Sequence, residues 1–239
     1  MNGRKEDLLL YAVTDRRWLQ GYTLYERVCE ALQGGITMLQ LREKKMAELE
    51  FLEEAVRMKR LCDQYHVPLI INDHPGIAKK AGADGVHIGQ KDQDLCSTRA
   101  LLGPDKIIGV SARTVEQAML AQEQGADYLG VGAVFETGTK QDAQVIPLER
   151  LAEICQSVTI PVVAIGGITR ENMGRLEGSG ISGVAVVSAV FAQKNIRQSV
   201  RQLKEQVTQI IPQAGNGRSL AMSAPKDAGE QYHGRSEWL

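Results

Sequence analysis

The chain has 239 residues, 28 Lys and Arg against 29 Asp and Glu, a formal net charge of −1 and a hydrophobic share of 43%. Such a length and composition suit a globular protein that can bury a core without staples. The balanced charge gives no global electrostatic reason to bind nucleic acid or an acidic membrane, so anionic partners have to be recognised locally.

Taken in chain order, short apolar or β-branched runs predict strands over 8–13, 36–41, 68–72, 85–88, 107–110, 128–132, 162–165 and 183–187. Amphipathic stretches separate them. The clearest is 47–65, where Leu49, Leu52, Val56 and Leu61 fall at helical spacing, and 114–124 and 148–157 behave alike. A weak repeat punctuates the pattern: Gly34-Gly35-Ile36, Gly82-Ala83-Asp84, Gly125-Ala126-Asp127 and Gly180-Ile181-Ser182 each precede a strand. A glycine just past a helix end supplies a left-handed cap, and strands apolar nearly throughout are those covered on both faces.

Eight βα units in about 215 residues predict an α/β fold, a single (β/α)8 TIM barrel over 1–211, somewhat shorter than the typical ~250 residues. A doubly wound sheet would place GxGxxG after the first strand, where this chain reads Thr14-Asp15-Arg16. From 212 to 239 the pattern stops in favour of Gly, Ser, Ala and Pro, which predicts a flexible C-terminal tail. No apolar run approaches the ~20 residues of a membrane span, and the run 8–13, closed by Asp15, Arg16 and Arg17, does not resemble a signal peptide. The four cysteines are scattered without a CxxC pair, so reduced thiols in a cytoplasmic protein are expected.

Chemistry in such a barrel sits at the C-terminal ends of the strands, and polar residues gather there. Strand 2 ends in Gln40-Leu41-Arg42-Glu43-Lys44, strand 3 in Asn72-Asp73, strand 4 in His87-Ile88-Gly89-Gln90 with Asp92 beyond, and strand 5 in Ser111. Strand 6 is followed by Thr137-Gly138-Thr139-Lys140, strand 7 by Gly166-Gly167, and strand 8 ends in Val187-Ser188. The opposite joins carry mostly Gly, Ala and Pro. Gly166-Gly167 and Ser188, each read as leading into a helix, suit a phosphate site; a plain turn and an N-cap serine are the structural alternatives. Asp73 and Asp92 on adjacent strands suit Mg²⁺ beside a polyphosphate, with helix capping the alternative. Alternation puts Gln40, Arg42 and Lys44 on one face of an extended segment. His87 points into the barrel, either as a satisfied core residue or as a catalytic one. No nucleophile elbow, HExxH or metal-type Cys/His spacing occurs.

These segments, in order from about residue 10 to 191, together with Gly109-Val110-Ser111 and Ala164-Ile165-Gly166-Gly167-Ile168, closely resemble the thiamine-phosphate synthase family. The resemblance implies condensation of 4-amino-2-methyl-5-(diphosphooxymethyl)pyrimidine with a thiazole phosphate, giving thiamine phosphate and pyrophosphate. By similarity, Gln40, Arg42 and Lys44, within the binding segment Gln40-Leu41-Arg42-Glu43-Lys44, together with Asn72 hold the pyrimidine diphosphate. Ser111 and Lys140 also contact it, and Arg42, Lys44, Ser111 and Lys140 are the catalytic candidates. Asp73 and Asp92 bind Mg²⁺. Thr137, Gly138 and Thr139, with Gly167, Val187 and Ser188, hold the thiazole phosphate. Two positions depart from the family's usual pattern: Glu136 precedes Thr137 where proline is common, and Arg113 stands near a frequent histidine. The rival readings are a thiazole tautomerase of the sister group, which would not need the full set of Gln40, Arg42, Lys44, Asp73 and Asp92, and a non-catalytic phosphate-ligand sensor.

Overall fold

The computed structural model describes residues 5–90, 94–138 and 144–211. Eight parallel strands close into a barrel in sequence order. They are β1 (Leu10–Val13), β2 (Met38–Leu41), β3 (Leu69–Asn72), β4 (Gly85–Ile88), β5 (Ile107–Ala112), β6 (Tyr128–Gly132), β7 (Val162–Ile165) and β8 (Gly183–Val186). Pairing of Tyr11 with both Met38 and Ala185 seals β1 between β2 and β8. The first expected strand is shorter than its apolar run, because Lys5–Leu8 turns as a 3-10 helix with Leu8 buried beneath it. The expected tail, 212–239, lies outside the described residues.

The outer ring holds α1 (Leu24–Gly34), α2 (Glu48–Gln64), α3 (Pro75–Lys80), α4 (Leu95–Leu102), α5 (Val115–Glu123), α6 (Leu148–Ser157), the short α7 (Ser188–Phe191) and α8 (Ile196–Ile210). Local signals start several of them: Thr23 and Glu26 form a capping box on α1, and Asp94 and Thr114 cap α4 and α5. The helix expected over 47–65 forms as α2; its buried stripe is Phe51, Ala55, Met58, Leu61 and Cys62, with Leu52 and Val56 packed beside it and Leu49 77% exposed. One expectation is corrected: the turn at Gly166-Gly167 does not run into an α-helix. Only a 3-10 turn, Met173–Leu176, links β7 to β8, in a segment interrupted by Gly174, Gly178 and Gly180, which disfavour helix.

Strand alternation sorts the core into two layers. Tyr11, Val13, Met38, Ile70, Ile107, Tyr128, Val163 and Ala185 fill the barrel interior. Leu10, Ala12, Leu39, Leu41, Ile71, Val86, Ile108 and Leu129 pack outward against the helices. On the rim where strands begin, polar side chains serve the ladder: Thr37 Oγ1, Asp84 Oδ2 and Asp127 Oδ2 each accept a bond of 2.8 Å from a neighbouring strand's backbone N–H, at Leu10, Leu69 and Ile108 respectively. The Asp84 and Asp127 positions are the ends of the Gly-Ala-Asp repeats, so that repeat is a structural device. Asp127 also pairs with Arg99 at 2.6 Å. Asp127→Ala is therefore expected to destabilise the fold by roughly 2 kcal/mol, by orphaning a buried N–H and a partly buried guanidinium. Urea unfolding checks this; an unchanged midpoint would show that the contact carries no net stability.

Candidate active site

At the opposite rim, where the strands end, the chain assembles oxygen acceptors and cations. Gln40, Asn72, His87 and Ser111 occupy inward positions near the ends of β2, β3, β4 and β5; Asn72 pairs with His87 across β3 and β4, while Gln40 stands opposite Ile70 and His87 opposite Gly109. Asn72 is 7% exposed, and its Nδ2 has no hydrogen-bond partner among the described residues. A buried amide donor without a partner costs free energy unless something else accepts from it, so this atom marks a place built for a ligand.

Asp73 follows directly. Its φ of +63° lies in the left-handed region, which Asp tolerates better than most residues. The N-cap position of α3 belongs to His74, and Pro75 follows at the first turn. Capping thus fails as an account of Asp73: the left-handed turn carries its carboxylate to the rim, where Lys44 Nζ approaches Oδ2 at 2.8 Å. The pair is partly exposed and holds one anion and one cation side by side. Ser188 is likewise not the cap; Val187 holds the N-cap position of α7, without a side-chain cap bond.

The β1 loop supplies a second charged group. Asp15 is buried, and Arg17 grips its carboxylate through Nε and Nη2 at 2.6 to 3.1 Å. Burial acts to raise the Asp15 carboxyl, but the Arg17 bonds and charge, aided by Arg42, outweigh it and hold the group below its ordinary value. Arg17 Nη1 also donates to the Gly138 carbonyl at 3.2 Å, tying the β1 loop to the β6 loop across the mouth. Sequence reasoning gave Arg17 no role, since it sits 121 residues from that partner.

The β6 and β7 loops pack together. A side chain at Gly167 would place its Cβ 2.2 Å from the Glu136 carbonyl oxygen, and its φ of +67° suits glycine. Asn172 holds this turn by donating to the Gly167 carbonyl at 2.8 Å and accepting from the Thr169 N–H at 2.8 Å. Thr137 is half-buried, and the Glu136 side chain is exposed. Thr139, Lys140 and Asp92 lie outside the described residues.

Two members of the expected binding segment have other partners. The Leu41 side chain is fully buried in the outer layer, so its backbone alone can face the rim. Glu43 is 8% exposed and bonded to Arg16 at 2.7 Å; burial pushes its carboxyl up, and Arg16 offsets this only in part. Its acidity is thus absorbed by the protein. Arg42 is half-buried, with its N–H donating to Thr14 Oγ1 at 2.9 Å.

His87 is enclosed: Nδ1 lies 3.0 Å from the Tyr128 hydroxyl and Nε2 lies 2.9 Å from Ser111 Oγ. Burial lowers its pKa from 6.5 to about 4, against a weaker opposing effect of the Asp73 charge. It is a neutral, satisfied interior group at neutral pH.

The residues also fit a magnesium ion. Asp73 presents a hard oxygen donor beside a lysine at the rim. One or two carboxylates, with waters and substrate oxygens completing the shell, is the arrangement Mg²⁺ prefers. A groove of about 710 Å³ lined by Tyr25, Arg57 and Arg60 lies on the outer face of α1 and α2, away from these strand ends.

Comparison with known proteins shows the family. A sequence profile described as thiamine monophosphate synthase matches residues 10–190. The chain is 50% identical over 201 residues to the thiamine-phosphate synthase of Ruminiclostridium cellulolyticum, covering 84% of this chain and 96% of that protein. It is 49% identical over 195 residues to that of Clostridium acetobutylicum, covering 82% and 92%. A solved structure of thiamine phosphate pyrophosphorylase from Pyrococcus furiosus superposes with a TM-score of 0.81 at 38% identity, covering 87% of this chain and 99% of that one.

Proposed function

The chain belongs to the thiamine monophosphate synthase family, and from that premise we propose that it joins 4-amino-2-methyl-5-(diphosphooxymethyl)pyrimidine to a thiazole phosphate, releasing pyrophosphate. The enzyme is a transferase acting in thiamine biosynthesis. The observation that carries the site assignment is the rim cluster of Asn72, whose buried amide lacks a protein acceptor, beside the Asp73–Lys44 pair.

The chemistry follows from charge. Breaking the carbon–oxygen bond to diphosphate leaves negative charge on the departing group, while the aminopyrimidine ring spreads the positive charge left behind. Preplaced cations and donors that meet developing charge lower the barrier without reorganising. Arg42, Lys44 and Lys140 supply cations, and Asn72 and Ser111 supply donors. When bound, Mg²⁺ neutralises charge on the diphosphate oxygens; Asp73, together with Asp92, would hold it. Thr137, Thr139 and the Gly167 turn, with Val187 and Ser188, hold the thiazole phosphate so that its ring nitrogen faces the reacting carbon. The segment Gln40-Leu41-Arg42-Glu43-Lys44 binds the pyrimidine through Gln40 and its two cations, with Leu41 and Glu43 contributing backbone only. The Arg17 bridge to Gly138 ties the β1 loop to the start of the β6 loop, and the carbocation requires a site from which water is kept away. No protein nucleophile is required.

All four cysteines are free thiols, and among the described residues no helix is long and apolar enough to cross a membrane. The free thiols support a cytoplasmic enzyme working on small molecules.

The test is direct. Purified protein given both substrates and Mg²⁺ is expected to form thiamine phosphate and pyrophosphate in equal amounts, with product formation abolished by EDTA and restored by excess Mg²⁺. Folded protein that yields no product would defeat the synthase reading, and isomerisation of a thiazole carboxylate phosphate would then identify a tautomerase.

A further inference from the structure

A continuous hydrogen-bond chain crosses the barrel interior beneath the rim. Gln40 Nε2 donates to the Tyr11 hydroxyl at 2.7 Å, the Tyr11 and Tyr128 hydroxyls lie 2.9 Å apart, Tyr128 lies 3.0 Å from His87 Nδ1, and His87 Nε2 lies 2.9 Å from Ser111 Oγ. Gln40, Tyr11, Tyr128 and His87 are all buried. The interior is shaped for these rings: a Cβ on Gly109 would lie 2.0 Å from Tyr128 Cζ, and one on Gly130 would lie 2.9 Å from His87 Cε1. The chain therefore joins two rim residues on β2 and β5 through three aromatic side chains.

Each phenol has one hydrogen and two neighbours in the chain, and neutral imidazole has one donor and one acceptor nitrogen. Only two arrangements satisfy every link and leave no hydroxyl hydrogen without an acceptor. In one, hydrogens point from Gln40 through Tyr11 and Tyr128 into His87 Nδ1, and His87 Nε2–H donates to Ser111. In the other, every hydrogen is reversed. A mixed arrangement strands a buried hydroxyl hydrogen, which is costly in this low-dielectric interior. The two ends are consequently coupled. The forward sense turns Gln40 Oε1 to the rim as an acceptor and frees the Ser111 hydroxyl to donate there; the reverse sense exchanges these roles.

We propose that Tyr11, Tyr128 and His87 are positioning residues that hold this chain in the forward sense, fixing Gln40 as an acceptor and Ser111 as a donor toward the pyrimidine diphosphate. The inference rests on the proposed function for the identity of the ligand. An acceptor on β2 and a donor on β5 match a substrate that carries an amino group on its ring and anionic oxygens on its diphosphate. A 4-hydroxy ring presented in its keto form would meet Gln40 acceptor to acceptor. The chain thereby makes Gln40 a discriminator between amino and oxo pyrimidines.

The test is the histidine tautomer in the substrate-free, full-length protein at neutral pH. Long-range ¹H–¹⁵N NMR on ¹⁵N-histidine-labelled protein, with the His87 signals assigned through His87→Gln, is expected to show the Nε2–H form. An Nδ1–H or doubly protonated ring would overturn the proposal. Tyr128→Phe keeps the ring and breaks the chain; it is expected to raise KM for the pyrimidine diphosphate about tenfold, the size of one hydrogen bond, with KM for the thiazole phosphate unchanged. Equal changes in both KM values, or none, would count against positioning. Protein that showed the Nε2–H tautomer but made no thiamine phosphate would support the chain's polarity while defeating the functional reading, so the two failures are separable.

Discussion

Asp73→Asn is expected to lower kcat for thiamine phosphate formation about 100- to 1000-fold, the loss typical when one electrostatic stabiliser of a transition state is removed. The substitution is chosen for the backbone. Asp73 has a φ of +63°, and asparagine tolerates that region at least as well. Shape and turn are retained, while Lys44 loses the anion 2.8 Å away and any magnesium ion loses a charged ligand. Because the pair is partly exposed, folding stability should change by less than about 1 kcal/mol. Steady-state rates at saturating substrates, measured beside urea unfolding, separate the two effects. A rate within roughly threefold of the parent enzyme at low Mg²⁺ would remove Asp73 from the metal site.

Acid should weaken the fold through His87 before it reaches the carboxylates. Burial lowers this imidazole from 6.5 to about 4. Above pH 6.5 neither the folded nor the unfolded chain holds the proton, and stability is complete. As the pH falls below 6.5 the unfolded chain takes up a proton that the folded one refuses, so stability is lost progressively until about pH 4. The interval corresponds to about 3 kcal/mol. Asp15 and Asp94, which are held below their ordinary values, contribute losses only at lower pH. Urea unfolding at pH 7 and pH 4.5 should show this fall in the parent protein and a much flatter dependence in His87→Gln. Parallel slopes would mean that another group governs the acid limb.

Both experiments probe features that the sequence revealed only in part. Asp73 stood out by its place after a strand, yet capping was an equally local explanation. The structure decided against it by giving His74 the cap position and Asp73 a left-handed turn. His87 was legible as inward-facing, but its partners were not: Tyr128 lies 41 residues away, and Tyr128 meets Tyr11 across 117. The Arg17 bridge to Gly138 was invisible for the same reason, as was the commitment of Glu43 to Arg16.

Local sequence rules were enough for the alternation of eight strands with helical segments, the crowding of polar residues at the strand ends, and the ordered motifs that identify the family. These follow from local rules: periodicity marks which face is buried, and a strand's last residues lie on one rim whatever the rest of the barrel does. Where a helix failed, at 169–182, the cause was a glycine-rich stretch whose weak propensity the repeat pattern had masked. Which side chains meet depends on the closed barrel. Closure of β8 onto β1 and the register between strands bring Gln40, Tyr11, Tyr128, His87 and Ser111 into one chain. Hydrogen bonds need their partners placed to within a few tenths of an ångström, and that placement is fixed only when the whole barrel has closed.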